Sequence, residues 1–163
     1  MVTSAYVSAP RLVYADTSVY GGVFDDEFEA ASAAFFELVR GGRFFLLVSD
    51  VVRREVGLSP PQVQQHFDGL LAYMRLVPFD EEVLRLRDAY LAAGIVGPRW
   101  ADDAGHVAAA TVGGADLIVS WNFRHIVHLD RIRLYNAINA LHGYRPLEIR
   151  SPAEVIDYED QDV

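Results

Sequence analysis

Apolar positions in this chain fall into two kinds of block. Short continuous apolar runs suit strands buried on both faces, and apolar residues recurring every three or four positions suit helices with one buried side. Leu12 to Ala15 is the first run and ends in Asp16-Thr17-Ser18, a sequence fitted to capping a helix. Phe28 to Arg40 carries Phe28, Ala31, Phe35, Leu38 and Val39 at helical spacing until Gly41-Gly42 stops it. Phe44 to Val48 reads as a second strand, after which Ser49 or Asp50 can cap a short helix bearing Val52 and Glu55. Past the break at Pro60-Pro61, a helix is expected from about Gln62 to Met74 and a strand end over Arg75 to Pro78. Asp80 opens a helix with Val83, Leu84, Leu86 and Leu91 on its apolar side, closed by Gly94 and Gly97-Pro98. The Ala-rich stretch Trp100 to Val112 reads as helix up to Gly113-Gly114, and Asp116 to Ser120 as a strand around Leu117, Ile118 and Val119. Ile132 to His142 gives one more helix, Glu148-Ile149 a late edge strand, and Pro152 to Ile156 a turn or short helix.

Buried strands alternating with amphipathic helices predict an α/β domain with a central parallel sheet and helices on both faces. In such sheets ligands gather beyond the carboxyl ends of the strands, so the residues just after each strand matter most. The chain has 163 residues, which fits one domain, with Met1 to Arg11 as a loosely ordered lead-in and 157–163 as an acidic tail. No internal repeat or low-complexity stretch interrupts it.

Composition narrows the chemistry. At 52% hydrophobic and 23% charged residues the chain is globular rather than disordered. No apolar run approaches the roughly 20 residues of a membrane span. The N-terminus lacks the pattern of a signal peptide, so a cytoplasmic location and no membrane are expected. With no cysteine, disulfides, thiolate metal ligands and thiol catalysis are excluded, and any metal must be held by oxygen or imidazole. The net charge of −9 opposes nucleic-acid binding at face value. Carboxylates that bind divalent cations reverse their own local sign, however. The runs Asp25-Asp26-Glu27-Phe28-Glu29 and Asp157 to Asp162 read as solvated surface.

Asp16 follows the first strand, Glu55 lies one short helical segment past the second, Asp103 stands near the start of the Ala-rich helix, and Ser120-Trp121-Asn122 follows the Leu117–Val119 strand. All can meet at one edge of the sheet. Carboxylates brought together repel unless protonated or bridged by a cation, and hard divalent cations favour oxygen ligands. Each residue also has a plainer role: Asp16 as a helix cap, Glu55 as an ion-pairing surface residue, Asp102-Asp103 as a pair at a helix start, His106 as a hydrogen-bonded core histidine, and Asp116 as a turn residue.

The stretch Val13 to Gly22, with Asp16-Thr17-Ser18 at its centre, resembles the opening motif of PIN-domain ribonucleases. Val48 to Val56, a Ser followed by a helix with Glu55, resembles their second motif. Ala101 to Ala110, with Asp103-Ala104, is similar to the third, and Gly114 to His125, a strand leading into Ser120-Trp121-Asn122, to the fourth. The blocks Ser120-Trp-Asn-Phe-Arg-His125, Gly143-Tyr144 and Ser151-Pro-Ala-Glu-Val155 resemble a VapC-like bacterial subgroup.

That resemblance implies a three-layer α/β/α sandwich and metal-dependent cleavage of single-stranded RNA. Asp16, Glu55 and Asp103 carry over as catalytic and metal-binding residues, with Asp103 preferred to Asp102 because Asp103-Ala104 and the Ala spacing after it match the motif. The fourth position holds Asn122 where Asp is common, and Asp116 competes for that role. One Mg²⁺ or Mn²⁺ ion is therefore expected, with two as the alternative. Thr17, Ser18, Ser120, Asn122 and Arg124 are candidates to position phosphate or water, and Tyr20 and Trp121 to stack on bases, against core packing. The implied role is the toxin of a toxin–antitoxin pair, with a cognate antitoxin protein as partner and a homodimer as the assembly. The alternative function is a catalytically silent PIN-like module that binds RNA or protein. The pairs Phe35-Phe36 and Phe44-Phe45 read as core.

Overall fold

In a computed structural model that describes residues 10–160, β1 (Arg11–Ala15) is the middle strand of a five-stranded sheet. Its continuous apolar sequence follows from cover on both faces: Val13, Tyr14 and Ala15 have no exposed surface. The other strands are β2 (Phe44–Ser49), β3 (Met74–Val77), β4 (Leu117–Val119) and β5 (Glu148–Arg150), in the order β3-β2-β1-β4-β5, all parallel. Tyr14 pairs with Leu47 on one side and Ile118 on the other. The chain thus runs outward from β1 to β3 and returns to β4 on the opposite flank of β1. The carboxyl edge between β1 and β4 is the topological switch point, where folds of this kind form their ligand-binding crevice.

The helices are α1 (Thr17–Gly22), α2 (Glu29–Arg40), α3 (Asp50–Gly57), α4 (Pro61–Asp68), α5 (Glu81–Ala92), α6 (Ala101–Val112), α7 (Leu129–Leu141) and α8 (Pro152–Asp160). They flank the sheet as the outer layers of a three-layer α/β/α sandwich, with α2 against α8 and α5 against both α6 and α7. Caps fix several starts: Ser49 accepts from the Val52 amide at α3, and Asp80 accepts from the amides of Glu82 and Val83 at α5. Phe35, Phe36 and Phe44 are core residues. Among the described residues no helix is long and apolar enough to cross a membrane.

Several boundaries differ from the sequence reading. The helix expected over Gln62 to Met74 ends at Asp68, because Gly69 cannot sustain it, and Met74 already belongs to β3. The helix expected from Ile132 starts at Leu129. The final turn is helix to Asp160. The lead-in expected to Arg11 is already strand at that residue; Met1 to Ala9 and the last three residues of the acidic tail lie outside the described residues.

A candidate active site at the carboxyl edge of the sheet

Asp16 leaves β1 at the switch point. It stands at the N-terminus of α1, yet its carboxylate makes no cap hydrogen bond. Both oxygens are taken from elsewhere: the Ser18 hydroxyl donates to Oδ1 at 2.5 Å and the Ser120 hydroxyl to Oδ2 at 2.6 Å. Ser120 directly follows β4, so this bond spans the crevice between β1 and β4. The Asp16 amide extends the same junction by donating to the Val119 carbonyl at 3.2 Å. The two serines are themselves held, since Trp121 N–H donates to Ser18 Oγ and Asn122 N–H to Ser120 Oγ, each at 2.9 Å. Burial raises the Asp16 carboxyl above its ordinary range, more than the charge of His106 and the two serine bonds lower it.

Glu55 and Asp103 reach the edge from α3 and α6, and a histidine meets each. His106 Nε2 lies 2.6 Å from Glu55 Oε1, and His125 Nδ1 lies 2.8 Å from Asp103 Oδ2. His106 is buried, and its Nδ1 faces the Tyr14 hydroxyl at 2.7 Å, which in turn lies 2.6 Å from Ser49 Oγ. Burial alone would lower the His106 pKa; the bond to Glu55 and the charges of Asp16, Glu55 and Asp103 outweigh it and hold the imidazole above its ordinary value. Burial likewise opposes ionisation of Glu55, but His106 prevails and the carboxyl is held low. His106 is thus within electrostatic reach of all three acids.

The remaining candidates are placed as follows. Thr17 lies beside Glu55 close enough to favour its charge, but its buried hydroxyl has no hydrogen-bond partner. Asn122 Oδ1 accepts from the His125 amide at 2.9 Å and so shapes the turn after β4. Arg124 is exposed. Asp102 points outward and pairs with Arg54 at 3.0 Å, while its neighbour Asp103 points to His125. Trp121 stacks on Phe28 with ring centres 4.3 Å apart and donates to Ser32 at 2.9 Å, so packing takes its ring. Tyr20 is fully buried beside Phe36 and Phe67, which removes it as a base-stacking surface. Exposed aromatics near this edge include Phe123 and Trp100, the latter packing its ring on His125 at 4.5 Å with the Arg99 guanidinium 5.1 Å from its centre.

Asp116 stands apart from the other acids. It precedes β4 and therefore lies at the amino edge of the sheet, where its carboxylate accepts from the Leu12 amide at 2.8 Å and pairs with Arg145 at 3.3 Å. A parallel strand separates it from the crevice, so it is not brought to Asp16, Glu55 and Asp103.

Sequence reasoning gave Ser49 as a helix cap, which it is, saw Tyr14 and His125 only as parts of longer motif stretches, and left His106 as a core histidine. One signal for Tyr14 was available: a tyrosine inside a buried strand needs a partner for its hydroxyl.

The donor chemistry of this edge suits a hard divalent cation. Its acids offer oxygen, the Thr17 hydroxyl oxygen is buried and unpartnered, and a cation beside Asp16 would offset the burial that raises its carboxyl. Among the described residues no three Asp, Glu or His side chains converge as a ready ligand set, each acid being engaged by serine or histidine.

No family model matches the sequence, and no curated protein matches it. Solved structures do. A VapBC2 complex from Rickettsia felis bound to a DNA fragment from its promoter aligns with a TM-score of 0.54 at 13% identity, over 86% of this chain and 98% of that one. FitAcB from Neisseria gonorrhoeae gives 0.53 at 15% identity, over 86% and 97%. FitAB bound to an IR36 DNA fragment gives 0.52 at 16%, over 86% and 94%. At such identities the likeness establishes the fold, which is PIN-like.

Proposed function

We propose that this protein is a metal-dependent endoribonuclease that cleaves single-stranded RNA and serves as the toxin of a toxin–antitoxin pair. The observation that carries the reading is the buried Asp16 at the switch point, held from both sides by Ser18 and Ser120 and within electrostatic reach of Glu55. Motifs similar to those of VapC-like toxins and a fold shared with the VapBC2 and FitAB complexes support a cognate antitoxin as partner.

In this reading Asp16, Glu55 and Asp103 would hold one Mg²⁺ or Mn²⁺ ion, directly or through water. Mg²⁺ keeps several waters and usually takes only one or two carboxylates from a protein, so a convergent set of three is not required. When bound, the ion supplies a more acidic water and charge stabilisation at the phosphate. Glu55 orients the attacking water or takes its proton at Oε2, the oxygen His106 leaves open. Ser18 and Ser120 keep both Asp16 oxygens oriented, and Arg124 and Arg99 offer cations for the RNA backbone.

Asp16→Asn should abolish Mn²⁺- or Mg²⁺-dependent cleavage of single-stranded RNA with the circular dichroism spectrum unchanged. Undiminished cleavage would overturn the assignment. The absence of three convergent acids among the described residues favours one second reading, a silent module that binds RNA or protein. Tight Mn²⁺ binding without cleavage of any RNA would decide for it.

A further inference from the structure

His106 occupies a place that packing does not explain. An apolar side chain would fill the interior of the Ala-rich α6 without needing partners. The imidazole instead closes a continuous polar chain through the protein: the Val52 amide donates to Ser49 Oγ at 3.4 Å, Ser49 meets the Tyr14 hydroxyl at 2.6 Å, Tyr14 meets His106 Nδ1 at 2.7 Å, and His106 Nε2 meets Glu55 Oε1 at 2.6 Å. Val52 and Glu55 belong to the same helix, α3. The chain leaves the N-terminus of α3, crosses β1 and α6, and returns to the acid one turn along α3. Ser49, Tyr14 and His106 are buried, whereas the Glu55 side chain keeps 34% of its surface open to the crevice. The anchor is thus fixed by buried groups and only the carboxylate faces outward.

We propose that His106 is a positioning residue for Glu55: oriented through Nδ1 by Tyr14 and Ser49, it fixes Oε1 and so presents Oε2 to the divalent cation of the candidate site. This inference rests on the proposed metal-dependent function. Groups that orient a ligating or catalytic carboxylate typically change metal affinity or activity by roughly 10- to 100-fold when removed. The two imidazole nitrogens have different jobs, and single substitutions separate them. The amide of His106→Gln reaches the position of Nε2 and keeps a donor for Glu55. That of His106→Asn reaches the position of Nδ1, keeping Tyr14 and abandoning Glu55. Tyr14→Phe removes the orienting hydroxyl and leaves the imidazole in place.

The test is Mn²⁺ binding by isothermal titration calorimetry, without RNA, on the wild type, these three variants and Asp16→Asn, each first shown to unfold cooperatively. The expected pattern is an Mn²⁺ affinity at least about tenfold weaker in His106→Asn, within about threefold of wild type in His106→Gln, and intermediate in Tyr14→Phe. A purely structural histidine would lower thermal stability in both His106 variants without separating their affinities. Wild-type affinity in both, with binding lost in Asp16→Asn, overturns the positioning role and leaves the nuclease reading standing. No Mn²⁺ binding by any of the proteins overturns both.

Discussion

Asp16 and Glu55 are both carboxylates near His106, and their surroundings push them in opposite directions. Burial raises Asp16 despite its serine partners, so the folded state favours its protonated form. Its contribution to stability is present at acid pH and is lost as pH rises through the raised value, leaving a desolvated charge at neutrality. In EDTA, Asp16→Asn should therefore be more stable than wild type at pH 7, with the difference vanishing towards pH 3; urea unfolding across that range checks it. Glu55 behaves in reverse. Its pairing stabilises above its ordinary value of 4.5 and fades as pH falls below it, while the raised His106 stabilises fully below its ordinary 6.5 and fades above. The pair is at full strength between those limits. Glu55→Gln should cost most stability near pH 5.5 and less on either side, again in EDTA. A penalty that keeps growing up to pH 8 would show that His106 does not carry the charge. The acids themselves were legible in the sequence, Asp16 because it directly follows a strand, Glu55 because it lies one short helix past another, and Asp103 through the Asp103-Ala104 motif at a helix start. Their unlike environments were not, because these depend on Tyr14, Ser49, His106 and Ser120 arriving from four elements.

Elements place these residues, and here small side chains decide. Helix α1 is only six residues long, too short for an apolar period to reveal, so the sequence showed it as a cap and nothing more. It ends at Gly22, where an added Cβ would lie 2.5 Å from Ser32 Oγ and 2.9 Å from Trp121 Nε1. The glycine makes room for the bond between Trp121 and Ser32, which fastens the turn after β4 to α2. Gly22→Ala should cost about 1–3 kcal/mol by overpacking, measured by urea unfolding. Helices α3 and α6 are joined twice, by Glu55 with His106 and by Arg54 with Asp102. The second pair is exposed, with more than half of each side chain open to solvent, and exposed ion pairs contribute about 0–1 kcal/mol. Asp102→Asn should leave both Mn²⁺ affinity and RNA cleavage at wild-type levels, whereas Asp103→Asn should lose both. Equal losses in the two variants would show that the Asp103-Ala104 register was misassigned.

Across the whole molecule, the parallel sheet separates two edges with different work. The carboxyl edge gathers Asp16, Ser18, Ser120, Glu55 and Asp103; the amino edge holds Asp116, which pairs with Leu12 and Arg145. The alternation of strands and helices made the layers legible, and the rule that ligands sit beyond strand ends found the acids. Applied strictly, the same rule excludes Asp116, because a residue before a parallel strand emerges at the opposite edge; only the uncertain start of β4 kept it in contention. Asn122, the other candidate for the fourth position, does stand at the carboxyl edge, with its side-chain oxygen used by the His125 amide. This leaves the crevice with three acids against a net charge of −9 for the chain, so charge at the site must be balanced locally rather than by a basic surface. Ser120→Ala strips one donor from Asp16 and one acceptor from the Asn122 amide. It should cost about 1–3 kcal/mol in unfolding and weaken Mn²⁺ binding about tenfold. Asp116→Asn keeps an oxygen for the Leu12 amide and loses only an exposed pair, so it should change stability by less than about 1 kcal/mol and leave Mn²⁺ binding intact. Calorimetry on the two variants side by side measures the separation of the edges, and weakened Mn²⁺ binding in Asp116→Asn would contradict it.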